Sequence, residues 1–426
     1  MVKVAIPTLG CKANRCDSDT MALILSKAGY DIVTPDAPAD IYILNTCAVT
    51  RDAESKSRKY ARKIIKNNPA AAVFITGCCG VFAPEIGDIE GVTAVIPIKD
   101  QENILSIILA YAPLSTQEKS DNLPKENAKM VRSMNRTRAS LKVQDGCDHG
   151  CSYCAVTLSR GPMRSVPIAD VLKDIENILS SGAKEIVLTG IRLDAYGIDN
   201  GTTLKALLDA TLPLNISRLR LSSVEPLGVT EELISACATH PTLCRHFHLC
   251  LQSGDDDVLR SMNRGYTAGE YLKKVAAIKS AMPNATFTTD IIVGYPGESD
   301  EAFLNTVKVA REVGFIKTHI FKFSPRKGTI AANLPQDVSA EVKNVRSKEL
   351  IKLEREMFLE SAEKLMGTHL NVLVETASSG TTDGYFSVFG KFSTRDKGEI
   401  LKLKAVKIDE KENRIIVENS EKDTNK

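Results

Sequence analysis

Three cysteines crowd one short segment, LKVQDGCDHGCSYCAVTLSRG, where Cys147, Cys151 and Cys154 stand at C-x3-C-x2-C spacing. Three thiolates in a single loop can hold three irons of a 4Fe-4S cube, because thiolate is the usual protein ligand of iron–sulfur clusters. The fourth iron is then open to a small molecule, which marks a cluster that acts on a ligand rather than one that only stores an electron. The same loop offers a competing set: Cys147, His149, Cys151 and Cys154 make a Cys3His complement of the kind that binds zinc. Cys147, His149 and Cys151 follow at every second residue, more crowded than zinc-finger spacings, so the iron–sulfur reading is the stronger. His149 reads as a loop residue.

A second triad is dispersed. Cys11 follows the strand-like run VAIPTLG, Cys47 follows IYILNT and Cys78 follows AVFITG. In an open parallel sheet the carboxyl ends of the strands face one crevice, so these thiols are expected to converge. The alternative is three separate buried cysteines. Cys79 neighbours Cys78, and adjacent residues point apart, so one of the two is expected to bind metal. Cys16, Cys237, Cys244 and Cys250 read as buried structural thiols. The total of eleven is odd, and VKVAIP at the start is strand-like rather than a secretory leader. Both features favour thiols in a reducing compartment over a disulfide framework.

The elements that must position these residues fall into three parts. Over 1–112, short apolar runs alternate with the helix-like stretches Asp17–Ala28, Asp52–Asn67 and Gln101–Ala110, predicting a small parallel α/β domain. Residues 113–135 turn polar and aperiodic, as a linker does. Over 136–365 six strand candidates (SLKVQ, EIVLTG, RLRLSS, HFHLCLQ, TFTTDIIVG and THIFKF) alternate with amphipathic helices. Six β/α units predict an open (β/α)6 barrel, a partial version of the closed eightfold TIM barrel. Over 367–420 period-two strands with Gly and Asp turns predict a small all-β barrel. The 426-residue chain carries 55 Lys plus Arg against 53 Asp plus Glu, so a nucleic-acid partner would need local basic patches. No apolar run approaches the ~20 residues of a membrane span, and a cytoplasmic location is expected.

The cysteine loop, with Tyr153 before its last cysteine, resembles the radical S-adenosylmethionine superfamily. The whole chain resembles that superfamily's methylthiotransferase family, a resemblance carried by several runs. TLGCKANRCDSD, ILNTCAVT and ITGCCG resemble its N-terminal domain. DGCDHGCSYCAVTLSRGPMRS, VLTGIRLDAYG, RLSSVEP, CLQSGDDDVLRSMNR and DIIVGYPGES resemble its radical domain, and the closing β region resembles its RNA-binding TRAM barrel. Gly10–Asn14, LSRGPMRS, Thr189–Ile191 and Tyr196–Gly197 are most similar to the branch acting on N6-threonylcarbamoyladenosine at tRNA position 37. The other branches act on isopentenyladenosine in tRNA or on a ribosomal-protein aspartate. A different class, a zinc-dependent RNA-binding protein without turnover, is the reading to be excluded by metal analysis.

The resemblance implies two 4Fe-4S clusters, on Cys11, Cys47 and Cys78 and on Cys147, Cys151 and Cys154, and two uses of S-adenosylmethionine, one as methyl donor and one as radical source. It implies a tRNA anticodon stem-loop, an external electron donor and a sulfur donor as partners, and no membrane. Thr189, Gly190, Ser223, Glu225, Gln252, Asp290, Ile292 and Val293, at the strand ends of the radical domain, are the expected S-adenosylmethionine contacts, and no side chain is assigned as an acid–base catalyst. Two basic stretches could neutralise RNA phosphates. One is Lys56, Arg58, Lys59, Arg62, Lys63 and Lys66; the other is Lys129, Arg132, Arg136, Arg138 and Lys142. The C-terminal region is balanced in charge, with a possible basic face at Lys402, Lys404 and Lys407. Tyr385 and Phe386 could stack on bases, although core positions are the default.

Overall fold

The structure, a computed structural model, describes residues 1–111, 137–335 and 337–418. The predicted linker and Lys129, Arg132 and Arg136 lie outside the described residues.

The first part runs β1 (Lys3–Ala5), α1 (Lys12–Lys27), β2 (Asp31–Val33), β3 (Ile41–Thr46), α2 (Arg51–Asn67), β4 (Ala72–Gly77), α3 (Cys79–Phe82), β5 (Ala94–Ile96) and α4 (Ile104–Tyr111). The strands form one sheet in the order β2-β1-β3-β4-β5, with every pairing parallel. β3 and β4 read as unbroken apolar runs because both their faces are covered. Ile41, Ile43 and Phe74 pack with α1 and α4, and Tyr42, Leu44, Val73 and Ile75 pack with α2. α1 begins five residues before the predicted Asp17, because its polar first turn, KANR, gives no apolar periodicity.

The second part runs β6 (Arg138–Lys142), β7 (Gln144–Asp145), α5 (Val156–Arg160), β8 (Arg164–Ser165), α6 (Ile168–Ser180), β9 (Glu185–Thr189), α7 (Leu204–Thr211), β10 (Arg218–Leu221), β11 (Ser223–Val224), α8 (Glu231–Thr239), β12 (His246–Leu249), α9 (Asp256–Ser261), α10 (Ala268–Ala281), β13 (Thr286–Val293), α11 (Asp300–Val313), β14 (Lys317–Lys322) and α12 (Ala340–Glu363). β10 and β11 are halves of one strand interrupted at Ser222; the first pairs with β9 and the second with β12. The order is thus β6, β9, β10/β11, β12, β13, β14, all parallel. Among the described residues β6 and β14 do not pair with each other, so the barrel stays open. The predicted strand SLKVQ is broken, because Gln144 and Asp145 turn away to pair antiparallel with Ser165 and Arg164.

The N-terminal part spans this opening and is tied to both edges. On the β6 side, Lys142 Nζ donates to Asp17 of α1, and Cys16 Sγ lies 3.6 Å from the Ser140 carbonyl oxygen. On the β14 side, the Arg51 N–H donates to Ser324 Oγ at 3.2 Å, and Arg326 Nη1 donates to Glu54 Oε2 at 2.8 Å.

The last part, β15 (His369–Val374), β16 (Ser379–Thr382), β17 (Ser387–Phe389), β18 (Ile400–Asp409) and β19 (Arg414–Glu418), closes in the order β15-β16-β17-β19-β18. Its core, including Val372, Val388, Leu403 and Ile415, continues into Phe358 and Ala362 of α12. It plugs the amino-terminal end of the open barrel. Arg218 and Arg220, held by the fully buried Glu185, donate to the carbonyls of Asn371, Thr381, Thr382 and Asp383 at 3.0–3.1 Å. Both arginines leave one face of β10, two residues apart, as strand alternation requires. Tyr385 follows in a left-handed conformation (φ 70°) and stacks on His246 at 4.4 Å between centroids. Phe386 is buried in the β-barrel core. Both aromatics are therefore used inside the molecule, in the role given as their default.

Candidate active site

Cys11, Cys47 and Cys78 stand at the carboxyl ends of β1, β3 and β4, three adjacent strands. Cys11 is the exposed N-cap of α1, whereas Cys47 and Cys78 are buried. A Cβ added at Gly10 would sit 3.1 Å from Cys47 Sγ, so Gly10 lets the Cys11 loop close onto Cys47. Cys79 turns inward, its Sγ 3.3 Å from the Cys47 carbonyl oxygen, and contributes to the core instead. Cys16, Cys237, Cys244 and Cys250 are buried structural thiols.

The second triad lies in the loop after β7. A Cβ at Gly146 would fall 2.0 Å from the Pro162 carbonyl oxygen at φ 70°, so only glycine lets the chain enter this loop. Backbone amides of His149 and Val156 point at Cys147 Sγ and Cys154 Sγ, each at 3.4 Å. Arg264 Nη1 lies 3.1 Å from Cys151 Sγ, and its other terminal nitrogen pairs with Glu225. These donors suit sulfur bearing negative charge. Burial pushes the free thiols the other way: Cys154 up to about 12 and Cys78 up to about 11, with Cys47 and Cys147 also raised. Thiolate in these places therefore needs a compensating cation, as bound iron provides, and loading releases protons.

One buried side chain joins the two loops. Arg160, at the end of α5 and six residues beyond Cys154, donates through Nη1 to Asp145 Oδ1 at 2.9 Å, and through Nη2 to Asn14 Oδ1 at 2.6 Å and Asp17 Oδ2 at 2.8 Å. Asn14 in turn donates to the carbonyls of Leu9 and Thr46, which precede Gly10–Cys11 and Cys47. Lys142 bridges the same two aspartates. The chain segments carrying Cys11, Cys47, Cys147 and Cys154 thereby share one hydrogen-bonded knot.

Cys78 and Cys154 line a single cavity of about 190 Å³ between the two parts. Its walls are largely apolar, with Val49, Phe82, Val156, Ile292, Phe321 and Phe323 among them. Of the eight residues expected to contact S-adenosylmethionine, Gln252, Asp290 and Ile292 line this cavity beside Tyr153. Gln252 holds φ 64°, a strained value for a residue other than glycine, of the kind that clusters at functional sites. Glu225 joins indirectly, through Arg264 and Cys151. Thr189 is buried with its hydroxyl on the Val187 carbonyl, and Gly190 packs on Gln144. The Val293 carbonyl accepts from Phe323 N–H. Ser223 pairs with β12. These four do not line the cavity.

A polar chain runs along the barrel interior to the cavity floor. His246 Nε2 and His248 Nδ1 both bond Thr288 Oγ1, at 3.0 and 2.9 Å, and His248 Nε2 lies 3.3 Å from Asp290 Oδ1. His319 completes a set with His248 and Asp290 whose ligand atoms lie within 4.8 Å of one another. Burial opposes ionisation of Asp290, yet His248, His319 and Lys12 hold its carboxyl below the usual range. The sequence assigned no part to these histidines, and it marked Asn14 and Arg160 as members of the runs Gly10–Asn14 and LSRGPMRS without giving either a role of its own. Arg264 closes the quoted run CLQSGDDDVLRSMNR, and nothing local shows that it reaches Cys151.

The basic stretch after Cys47 forms an exposed face of α2, opposite the buried Ser57, Ala61 and Ile64. Arg58 is taken up by Glu54 and Glu85, while Lys59, Arg62, Lys63 and Lys66 are exposed. In the C-terminal barrel Lys402 and Lys404 share the outer face of β18, and a bulge between Ala405 and Lys407 returns Lys407 to the outside. Among the described residues no helix is long and apolar enough to cross a membrane.

Residues 141–310 match the Radical SAM superfamily and residues 3–90 match a family described as Uncharacterized protein family UPF0004. The threonylcarbamoyladenosine tRNA methylthiotransferase MtaB of Bacillus subtilis is 34% identical over 429 residues, covering 96% of this chain and 94% of that protein. Its Thermotoga maritima counterpart is 36% identical over 395 residues, covering 92% and 91%. The tRNA-2-methylthio-N(6)-dimethylallyladenosine synthase of Sulfurihydrogenibium sp. is 33% identical, covering 96% and 97%. Among solved structures, the radical S-adenosylmethionine methyltransferase TsrM of Kitasatospora setae, with cobalamin and a 4Fe-4S cluster bound, superposes with a TM-score of 0.57 at 14% identity, over 78% of this chain and 77% of that one; this likeness concerns the fold.

Proposed function

The chain belongs to the radical S-adenosylmethionine methylthiotransferase family, and from that premise we propose that it converts N6-threonylcarbamoyladenosine at tRNA position 37 to its 2-methylthio derivative. The supporting observation is that Cys78 and Cys154, one thiol from each triad, line one cavity. Methylthiolation breaks a C–H bond at one centre and receives sulfur from another, so a single nucleobase must meet both. Cys147, Cys151 and Cys154 would hold a 4Fe-4S cluster that, with S-adenosylmethionine, would supply radical chemistry at the adenine C2–H bond, and Cys11, Cys47 and Cys78 would hold a second cluster that would supply the methylthio sulfur.

The chain's own residues do the rest. Tyr153, Gln252, Asp290 and Ile292 receive S-adenosylmethionine. Arg264 donates to the Cys151 sulfur, and Arg160 holds the two loops in register. Phe82, Val156, Phe321 and Phe323 keep water from the reacting carbon, which protects a radical from side reactions. The exposed Lys59, Arg62, Lys63 and Lys66 of α2 and the Lys402, Lys404 and Lys407 face hold the phosphates of the anticodon stem-loop. An electron donor and a sulfur donor complete the cycle, in the reducing cytoplasm where such thiols persist.

Nucleoside mass spectrometry of tRNA from a deletion strain tests the substrate. The 2-methylthio derivative of threonylcarbamoyladenosine is expected to vanish, and to return with the wild-type gene but not with Cys151→Ala. An unchanged level defeats the reading, and loss of the methylthio-dimethylallyl nucleoside instead points to the other tRNA branch.

A further inference from the structure

Beside the cavity of the two triads lies a wider one of about 660 Å³, reaching Cys47 and the first turn of α2. Thr50 and the 321–324 segment at the end of β14 line both cavities, so one ligand can extend from the first into the second. Their chemistry differs. The first is mostly apolar, with Asp290 as its carboxylate; the second carries Arg51 and Lys56 against a single carboxylate, Asp52, and Lys322 stands where the two meet. Arg51 and Lys56 are exposed, and neither takes part in an ion pair among the described residues. Lys322 Nζ donates to the neutral side-chain oxygen of Asn344 at 2.5 Å, which leaves its charge uncompensated. The positive end of α2, a helix of seventeen residues, adds to this field. Such a recess selects an oxyanion joined to a flat, apolar-seated group.

Resting on the substrate reading above, we infer that Arg51, Lys56 and Lys322 form the subsite for the carboxylate of the N6 threonylcarbamoyl group. That carboxylate is absent from a dimethylallyl substituent, so the subsite discriminates between the two kinds of nucleoside. Three uncompensated cations beside a cavity bind a carboxylate well but gain nothing from an alkenyl chain, which offers them no partner. A backbone phosphate of the same RNA is the other oxyanion that could sit here, and the test separates the two.

The test measures binding of the cluster-loaded full-length protein to three anticodon stem-loop hairpins by fluorescence anisotropy. The hairpins differ only at position 37: threonylcarbamoyladenosine, its methyl ester, and adenosine. The wild type is expected to bind the free acid about tenfold more tightly than the ester, as loss of a charge-assisted contact implies. Arg51→Gln with Lys322→Met is expected to bring that ratio close to one while affinity for the ester stays within about twofold, which also shows that the variant is folded. Lys56→Met, at an exposed position, is expected to lower the ratio by itself. Equal weakening of all three hairpins with the ratio retained marks a phosphate seat and overturns the assignment. So does an unchanged ratio in every variant, or a wild type blind to the ester. Failure of the substrate reading itself shows separately, in the nucleoside profile of the deletion strain, which these variants do not enter.

Discussion

At the scale of single residues, Arg160 and His246 make the clearest demands. Arg160 is buried between Asp17 and Asp145, so Arg160→Gln leaves the two carboxylates with Lys142 as their one remaining shared cation. Breaking a buried pair costs about 3–5 kcal/mol when the charge is left uncompensated; with Lys142 still in place the loss is expected to be smaller, and the urea midpoint to fall in proportion. Arg160→Lys restores the charge but not the two-pronged geometry, and is expected to recover only part of the loss. An unchanged midpoint for the Gln variant would remove Arg160 from its joining role. His246 concerns pH. Burial first, then the nearby Arg220, pushes its imidazole well below the ordinary range. The folded chain keeps it neutral while the unfolded chain takes up a proton near pH ~6.5. Stability is therefore complete above that pH and declines as pH falls through it. Thermal melting at about pH 5.5 is expected to come earlier than at about pH 7.5, with His246→Gln flattening the dependence; parallel slopes would show that another group is responsible.

At the scale of elements, the docking of the C-terminal barrel turns on β9 and β10. Glu185→Gln removes the charge that orients Arg218 and Arg220, and those arginines in turn hold four carbonyls of the β-barrel. Limited proteolysis between α12 and β15 is expected to speed up in this variant at protein concentrations where the wild type resists. Elements with dense apolar runs, such as β3, β4 and β13, are plain in the sequence because burial on both faces demands that composition. β2 and β16 are not. β2 is a three-residue edge, and β16 reads SGTT without one large apolar side chain. β16 exists because β15 and β17 supply hydrogen-bond partners on either side, a tertiary cause with no local trace. β7 and β8 are equally silent, since two residues each cannot show a period.

At the scale of the whole molecule, iron counting after anaerobic purification is the decisive measurement. Two cubes require about eight irons per chain, and both Cys47→Ala and Cys151→Ala are expected to retain about four. Cys151→Ala should abolish S-adenosylmethionine cleavage, and Cys47→Ala should spare cleavage while stopping sulfur insertion. Equal loss of cleavage in both would refute the division of labour. The cysteines were legible because strand-end thiols are uncommon and their positions follow from the alternation of elements. The reach of Arg160 to Asn14, that of Arg264 to Cys151 and the meeting of Arg51 and Lys56 with Lys322 were not, since each brings together residues more than a hundred positions apart. The plug formed by Arg218, Arg220 and Tyr385 has a mechanical corollary. With the β-barrel seated rigidly at one end of the open barrel and the cysteine loops at the other, the molecule is a caliper of fixed jaw width. On the proposed reading, a stem held by the lysines of β18 presents to the thiols the nucleotide at one set reach, so a base pair inserted between the held phosphates and position 37 should carry the modifiable adenosine out of range.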